Sequence, residues 1–259
     1  MLDRRAFIKR SIVCGGAGAG TLAVREAQGA AGQPGGVVGY GYRRPTFRQG
    51  SRLVFLGDSI TDMKWGRNES DRNHYLGHSY VYLIAARLGV DMPEAELEFF
   101  NRGISGNRLA SLRSRWQKDA VDMQPDVLSI LIGVNDVSQS QGERVALDRW
   151  EADYRFILEK SRQANADLRL VLLDPFVLRV GRLEPEDAWT FCRGEVDKMR
   201  RIVARLARDY QAVHVKTQDV FDAAAQAVRP GHWIWDGVHP LPQGHELIAR
   251  RWLQEVSAR

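Results

Sequence analysis

The sequence predicts an α/β fold built on a parallel sheet, and three observations carry that prediction. From about residue 52 onward, short apolar runs alternate with amphipathic stretches of helical length, in a βαβα rhythm. The run Val127-Leu128-Ser129-Ile130-Leu131-Ile132 is nearly continuous in apolar residues, as in strands covered on both faces. The residues able to do chemistry follow such runs directly, at the strand carboxyl ends where open α/β sheets build their sites.

Taken in order, the first strand is residues 53–56, and it runs straight into Gly57-Asp58-Ser59-Ile60-Thr61-Asp62. An amphipathic helix is expected around residues 79–88, a second strand at 97–100 and a helix at 108–123. The third strand, 127–132, ends in Gly133-Val134-Asn135-Asp136, and a long helix follows over about 145–164. The fourth strand, 168–173, is stopped by Asp174-Pro175. A polar loop then leads to a helix at about 187–210. A fifth strand at 213–215, a helix around 220–227 and a last helix at 241–256, with Pro242 in its first turn, complete the pattern. No internal repeat and no second domain boundary interrupt it.

The chain has 259 residues, 44% of them hydrophobic and 27% charged, which suits one large α/β domain. Residues 1–29 hold five basic residues against two acidic ones. They account for +3 of the net charge of +5, so the remainder is near +2, too mild to indicate a nucleic-acid partner. The same holds for Arg200, Arg201, Arg205 and Arg208, which read as a solvated helix face offset by Asp197 and Asp209.

That N-terminal segment has Asp3-Arg4-Arg5-Ala6-Phe7-Ile8-Lys9, then a weakly apolar Gly/Ala-rich stretch, then Ala27-Gln28-Gly29. It resembles a twin-arginine export signal at 1–29, the alternative being a flexible basic arm. The apolar stretch is too short and too rich in glycine for a membrane span, so no membrane association is expected after processing. Residues 30–50 read as a Gly/Pro-rich linker and 51–259 as the domain. Of the two cysteines, Cys14 lies in the signal, leaving Cys192 as a structural thiol without a disulfide partner.

A serine hydroxyl is a poor nucleophile at neutral pH and needs a base in hydrogen-bond reach, commonly a histidine held by a carboxylate. Ser59 and His239 suit the first two parts. Asp236 precedes His239 by three residues, close enough for both to share one loop. Acyl transfer also develops an oxyanion that requires preorganised donors. The stretch Asn101-Arg102-Gly103-Ile104-Ser105-Gly106-Asn107 after the second strand offers backbone N–H groups, and Asn135 a side-chain amide beside the N–H of Ser59.

Four separated blocks, Gly57-Asp58-Ser59, the Gly103-to-Gly106 turn, Gly133-Val134-Asn135-Asp136 and Asp236-Gly237-Val238-His239, together resemble the SGNH (GDSL-type) hydrolases. The resemblance implies a flavodoxin-like three-layer α/β/α sandwich with a central five-stranded parallel sheet. It also implies Ser59 as nucleophile, Asp236 as orienting acid and His239 as general base, with Ser59, Gly106 and Asn135 forming an oxyanion hole. Within the family the sequence is most similar to bacterial acetylxylan esterases and related carbohydrate acetylesterases, through Leu76-Gly77, Arg115-Trp116, Asp174-Pro175-Phe176 and Trp235 as well. It departs from them at Ser79, Arg108 and Gly237. The implied activity is hydrolysis of short-chain acetyl esters on xylan-derived or similar oligosaccharides, without metal or cofactor, and the resemblance implies a capacity for self-association. A lipid-directed esterase or lysophospholipase on the same scaffold, or a carbohydrate-binding envelope protein without turnover, are the competing readings.

Trp65 and Trp235, with Trp233, are candidate aromatic faces for a sugar, and His78 a candidate pocket-lining group. His74 shares its loop and reads as solvated. Asp58 is expected to brace the nucleophile turn, with Asp62 and Asp136 also structural. His214 reads as strand packing, Trp116 and Trp150 as helix core, and His232 and His245 receive no role. No histidine pair has a zinc-ligand pattern.

Overall fold

The computed structural model describes residues 41–140 and 142–258. The signal assigned to 1–29, with Cys14, and the linker up to residue 40 lie outside the described residues. Residues 41–50 lie along the domain: Tyr42 and Phe47 pack against the core, Pro45 is buried, and the Tyr42 hydroxyl donates to Asp91.

Five parallel strands form the sheet: β1 (Arg52–Gly57), β2 (Glu98–Gly103), β3 (Val127–Leu131), β4 (Arg169–Leu173) and β5 (Val213–Val215), in the order β2-β1-β3-β4-β5. Gly57 at the end of β1 stands level with Gly103 on one side and Leu131 on the other. Because β2 lies to one side of β1 and β3 to the other, successive chain crossings part at the carboxyl ends of β1 and β3. This is the topological switch point where a doubly wound sheet opens a crevice.

Helices cover both faces. On one, α2 (Tyr80–Asp91), α7 (Thr217–Ala227) and α8 (Pro242–Ser257) pack together; on the other lie α3 (Leu109–Trp116), α5 (Leu147–Ala164) and α6 (Glu186–Asp209). The result is a three-layer α/β/α sandwich, and its two coverings explain the unbroken apolar run of β3, all five of whose residues are buried. The one hydroxyl in that run, Ser129, accepts from the Trp252 indole at 3.1 Å, so the strand crosses the core with its polar group satisfied. Phe55 packs edge-on to Tyr80 and against Trp252, and Trp116 and Trp150 are core residues as expected. Among the described residues no helix is long and apolar enough to cross a membrane.

Two segments differ from the sequence reading. The helix expected over 108–123 is α-helical only to Trp116 and then widens into a π-helical turn, Gln117–Val121, across which Gln117 pairs with Asp122 at 2.7 Å. The loop after β4 is polar only at its far end. Phe176, Val177 and Leu178 are buried, and the buried Gln218 side chain replaces a strand partner, accepting from the Val177 N–H and donating to its carbonyl, both at 2.9 Å.

Candidate active site

β1 delivers Ser59 to the crevice on a one-turn helix, α1 (Ser59–Asp62). Asp58 caps that turn, its Oδ1 accepting from the Ile60 N–H at 2.9 Å, which leaves the Ser59 N–H at the unpaired helix start. Ser59 Oγ lies 2.8 Å from His239 Nε2, and His239 Nδ1 lies 2.8 Å from Asp236 Oδ2. With Nδ1 donating to the carboxylate, Nε2 is the lone-pair nitrogen that faces the hydroxyl. The other carboxylate oxygen of Asp236 accepts from the N–H groups of Val238 (3.0 Å) and His239 (2.7 Å). Burial pushes this carboxyl up, but those bonds outweigh it and hold Asp236 below its ordinary value, ionised beside the imidazole. The loop itself is closed by a bridge between Ile234 and Pro240 and by the Trp235 N–H donating to the His239 carbonyl at 3.2 Å.

The oxyanion candidates gather from β2 and β3. Gly106 sits at φ +80°, a conformation that suits glycine, in the turn after β2. Asn135 stands in the helical turn α4 (Val134–Ser138) after β3, and its Nδ2 donates to the Asn107 carbonyl at 3.1 Å. One amide hydrogen is therefore occupied, and the amide has a second one to donate. The turn between them is braced from both ends. Asp62 accepts from the N–H and hydroxyl of Ser105 at 2.9 and 2.8 Å, and Arg115 donates to the Asn107 side chain at 2.9 Å. Gln139 adds a bond to the Gly106 carbonyl at 2.9 Å. Asp62 is held below its ordinary value because the Arg67 and Ser105 bonds outweigh its burial.

Beneath Ser59, burial drives Asp58 up to about 7, with the nearby charge of Asp136 adding to it. Asp136, which accepts from the Leu109 N–H at 3.2 Å, is itself pushed up to about 6 by burial. Buried Asn101 donates to the carbonyls of Thr61 (2.7 Å) and Leu76 (2.9 Å), pinning the segment after Ser59 to β2. Asp62 was expected to be structural, and its bonds to Ser105 fit that reading, whereas Asn101, Arg115 and Gln139 had no individual part from sequence. The only local signal for them was their place inside or beside the motif blocks.

The aromatic candidates separate. Trp235 is 61% exposed and its ring stacks on His239 at 6.4 Å between centroids, at the mouth of the site. Trp65, expected to offer a face to a sugar, is instead buried: its indole N–H donates to the Gly103 carbonyl at 2.9 Å, and the guanidinium groups of Arg67 and Arg102 lie over its ring. Trp233 is buried too, bonded to the Ala224 and Val228 carbonyls. Their N–H groups found partners inside the fold, which turned both rings into packing.

His78 is exposed beside the loop that follows α1. Its neighbour His245, buried on α8, accepts from the Tyr80 N–H at 3.3 Å. Burial pushes that imidazole down to about 3, a direction that charge on His78 or His239 reinforces. His74 pairs with Asp71, and His214 donates to buried Asp174 at 2.7 Å. Cys192 is a buried free thiol, pushed up to about 11 by burial. Of the departures, Ser79 caps α2 through the Val81 N–H at 3.2 Å and is fully buried, so it contributes to the helix start.

A hydroxyl, an imidazole and a carboxylate in one relay, at the switch point of an open α/β sheet beside loops that carry candidate amide donors, fit a carboxylic ester hydrolase. The chain belongs to the GDSL-like lipase/acylhydrolase family, whose model matches residues 55–247. It is 32% identical over 214 residues to an acetylxylan esterase of Geobacillus stearothermophilus, covering 80% of this chain and 94% of that protein. Among solved structures, one of a GDSL-like lipase of Parabacteroides merdae superposes with a TM-score of 0.77 at 32% identity, over 84% of this chain and all of the other. A catalytic mutant of the Geobacillus enzyme, Axe2, superposes with a TM-score of 0.72 at 31% identity, over 81% and 95% of the two chains. An uncharacterised Bacillus subtilis lipoprotein, YqeF, is 27% identical over 127 residues, 48% of this chain and 49% of its own.

Proposed function

We propose that the protein is a serine esterase that removes acetyl groups from xylan-derived or related oligosaccharides through an acyl-enzyme on Ser59. The observation that carries this is the relay from Ser59 Oγ to His239 Nε2 and from His239 Nδ1 to Asp236, each contact 2.8 Å. Ser59 attacks the ester carbonyl carbon as its proton passes to His239. The oxyanion is held by the N–H groups of Ser59 and Gly106 and the side chain of Asn135. Collapse breaks the ester C–O bond, and the departing sugar oxygen takes the proton from His239 to leave as a hydroxyl. Water then attacks the acyl-enzyme carbonyl as its proton passes to the same imidazole, and collapse releases acetic acid as Ser59 Oγ takes that proton back. The acetyl preference and the oligosaccharide leaving group are supported by the similarity to acetylxylan esterases and by the exposed ring of Trp235 at the mouth.

The test is acetate release from acetylated xylo-oligosaccharides, alongside acetyl and octanoyl aryl esters, with Ser59→Ala as control. The proposal expects acetate from the oligosaccharides, strong preference for acetyl over octanoyl and no turnover by the variant. Octanoyl esters cleaved as fast as acetyl would move the assignment to lipid substrates.

We also infer export. Residues 1–29 carry the paired arginines, apolar stretch and small-residue end of a twin-arginine signal, and a relative of this chain is a lipoprotein. Replacing Arg4 and Arg5 by lysine should leave the protein in the cytoplasm.

A further inference from the structure

The loop between β4 and α6 carries a cationic group up to the triad loop. Gly181, at φ +58°, lies so close to Asp236 that a Cβ there would come within 2.8 Å of the Asp236 Cα. Gly237, at φ +97°, leaves room for Leu183 in return, and the Leu178 N–H donates to the Gly237 carbonyl at 3.1 Å. Arg182, between the two contacts, is thereby fixed beside the acid of the triad.

Its guanidinium lies 3.9 Å from Asp236 Oδ2, beyond hydrogen-bond distance, and the side chain is 49% exposed. Asp236 has no need of it: Oδ1 is taken by two backbone N–H groups and Oδ2 by His239. Neighbouring Arg179, by contrast, is occupied by Glu186 at 2.8 Å and by the Glu184 carbonyl at 3.1 Å. Among the described residues Arg182 makes no hydrogen bond, its charged contact being the 3.9 Å pair with Asp236, so its planar fork of donors can take a further acceptor.

Arg182 also lines an open pocket of about 210 Å³ with Val137, Ser138, Leu183 and Phe191. Ser138 is one helical turn beyond Asn135 on α4, so the pocket lies between the helix that carries Asn135 and the arginine that approaches the triad acid. The contacts of 3.9, 2.8 and 2.8 Å, with the imidazole between them, hold the guanidinium within roughly 12 Å of the Ser59 hydroxyl. The departing alcohol must take its proton from His239 Nε2, so it leaves on the His239 side.

We propose that Arg182 and this pocket form a subsite for the alcohol part of the substrate, and that it recognises a carboxylate carried by a sugar near the scissile ester. A guanidinium fork matches a carboxylate with two parallel bonds, and the apolar walls suit the carbon faces of the ring. This deepens the esterase assignment and rests on it.

The experiment compares two acetylated oligosaccharides identical but for one sugar carboxylate, using the wild type, Arg182→Gln and Arg182→Glu. The wild type should favour the acidic substrate by about fivefold in kcat/KM at low salt, the preference shrinking as salt is added. Arg182→Gln should bring the ratio near one and Arg182→Glu should invert it. Because Arg182 is half exposed and makes no hydrogen bond, both variants should fold, which circular dichroism checks. Equal wild-type rates on the two substrates, or a preference that survives both variants, overturns the subsite and leaves the esterase assignment standing. Acetate release from neither oligosaccharide overturns both.

Discussion

The Arg115 guanidinium donates to the Asn107 side chain at 2.9 Å and reaches the Gly57 carbonyl at 3.4 Å, so one side chain ties the oxyanion turn to the strand end beneath the nucleophile. Asp119 holds the other side of the fork at 2.7 Å, and the π-helical turn that begins after Trp116 includes that aspartate. The bond to Asn107 bears on Asn135 as well, because the Asn107 carbonyl orients its amide. Arg115→Ala should therefore lower kcat about 10- to 100-fold on an aryl acetate with little change in KM, and Arg115→Lys should recover part of it. A rise in KM at constant kcat would mean that Arg115 serves binding instead.

Gly181 predicts a second effect at a distance from any reacting atom. An alanine there would combine a strained positive φ with a Cβ 2.8 Å from the Asp236 Cα and 3.0 Å from the Trp235 carbonyl, both backbone atoms that must move. Gly181→Ala should cost about 10²-fold in kcat while the melting temperature falls by only a few degrees. Wild-type turnover in that variant would show that the triad loop tolerates the displacement.

Asp58 makes stability depend on pH. Burial lifts its carboxyl from 3.8 to about 7, so the folded chain binds this proton more tightly than the unfolded chain does. The contribution is fully present below 3.8 and is lost as pH rises through 7; Asp136, at about 6, acts in the same direction. Asp58→Asn keeps the acceptor for the Ile60 N–H and removes the titration. It should flatten the fall in stability between pH 4 and 7 and gain a few kcal/mol over the wild type at pH 8. Denaturant melts with the same pH slope in both proteins would refute this.

Two tryptophans should respond in opposite ways. Trp65→Ala removes a buried ring and should cost about 3–5 kcal/mol of stability. Trp235→Ala, at an exposed ring, should change stability by less than about 0.5 kcal/mol while raising KM for acetylated oligosaccharides several-fold. The contrast is lost if both variants behave as surface changes in urea melts.

Parts of the molecule legible in sequence are those set by short-range pattern. The apolar run of β3 announces a strand covered twice, and a spacing of three lets Asp236 and His239 share one loop. What stayed hidden is decided by contacts between distant segments. Phe176, Val177 and Leu178 look like part of a loop because Pro175 and Arg179 flank them, and only the amide of Gln218, 41 residues on, makes their burial tolerable. Trp65 carries no local mark separating it from Trp235; the Gly103 carbonyl and two arginines decide that it faces inward. Arg115 and Arg113 look alike on α3, yet one braces the oxyanion turn and the other pairs with Asp153 on α5.

The contact from Ser59 to His239 closes across 180 residues of chain. His239 is carried on the segment just before α8, and α8 is seated by Trp252 bonding to the middle of β3. Ser59 is thus made 180 residues before His239 and waits for it while β2 to β5 are added. Such a long-range closure is slow and comes late in folding, so catalytic competence should appear only after the helical signal has returned in a refolding experiment. Turnover then serves as a readout of completed topology, and a chain cut short before residue 239 is silent however well its sheet has formed.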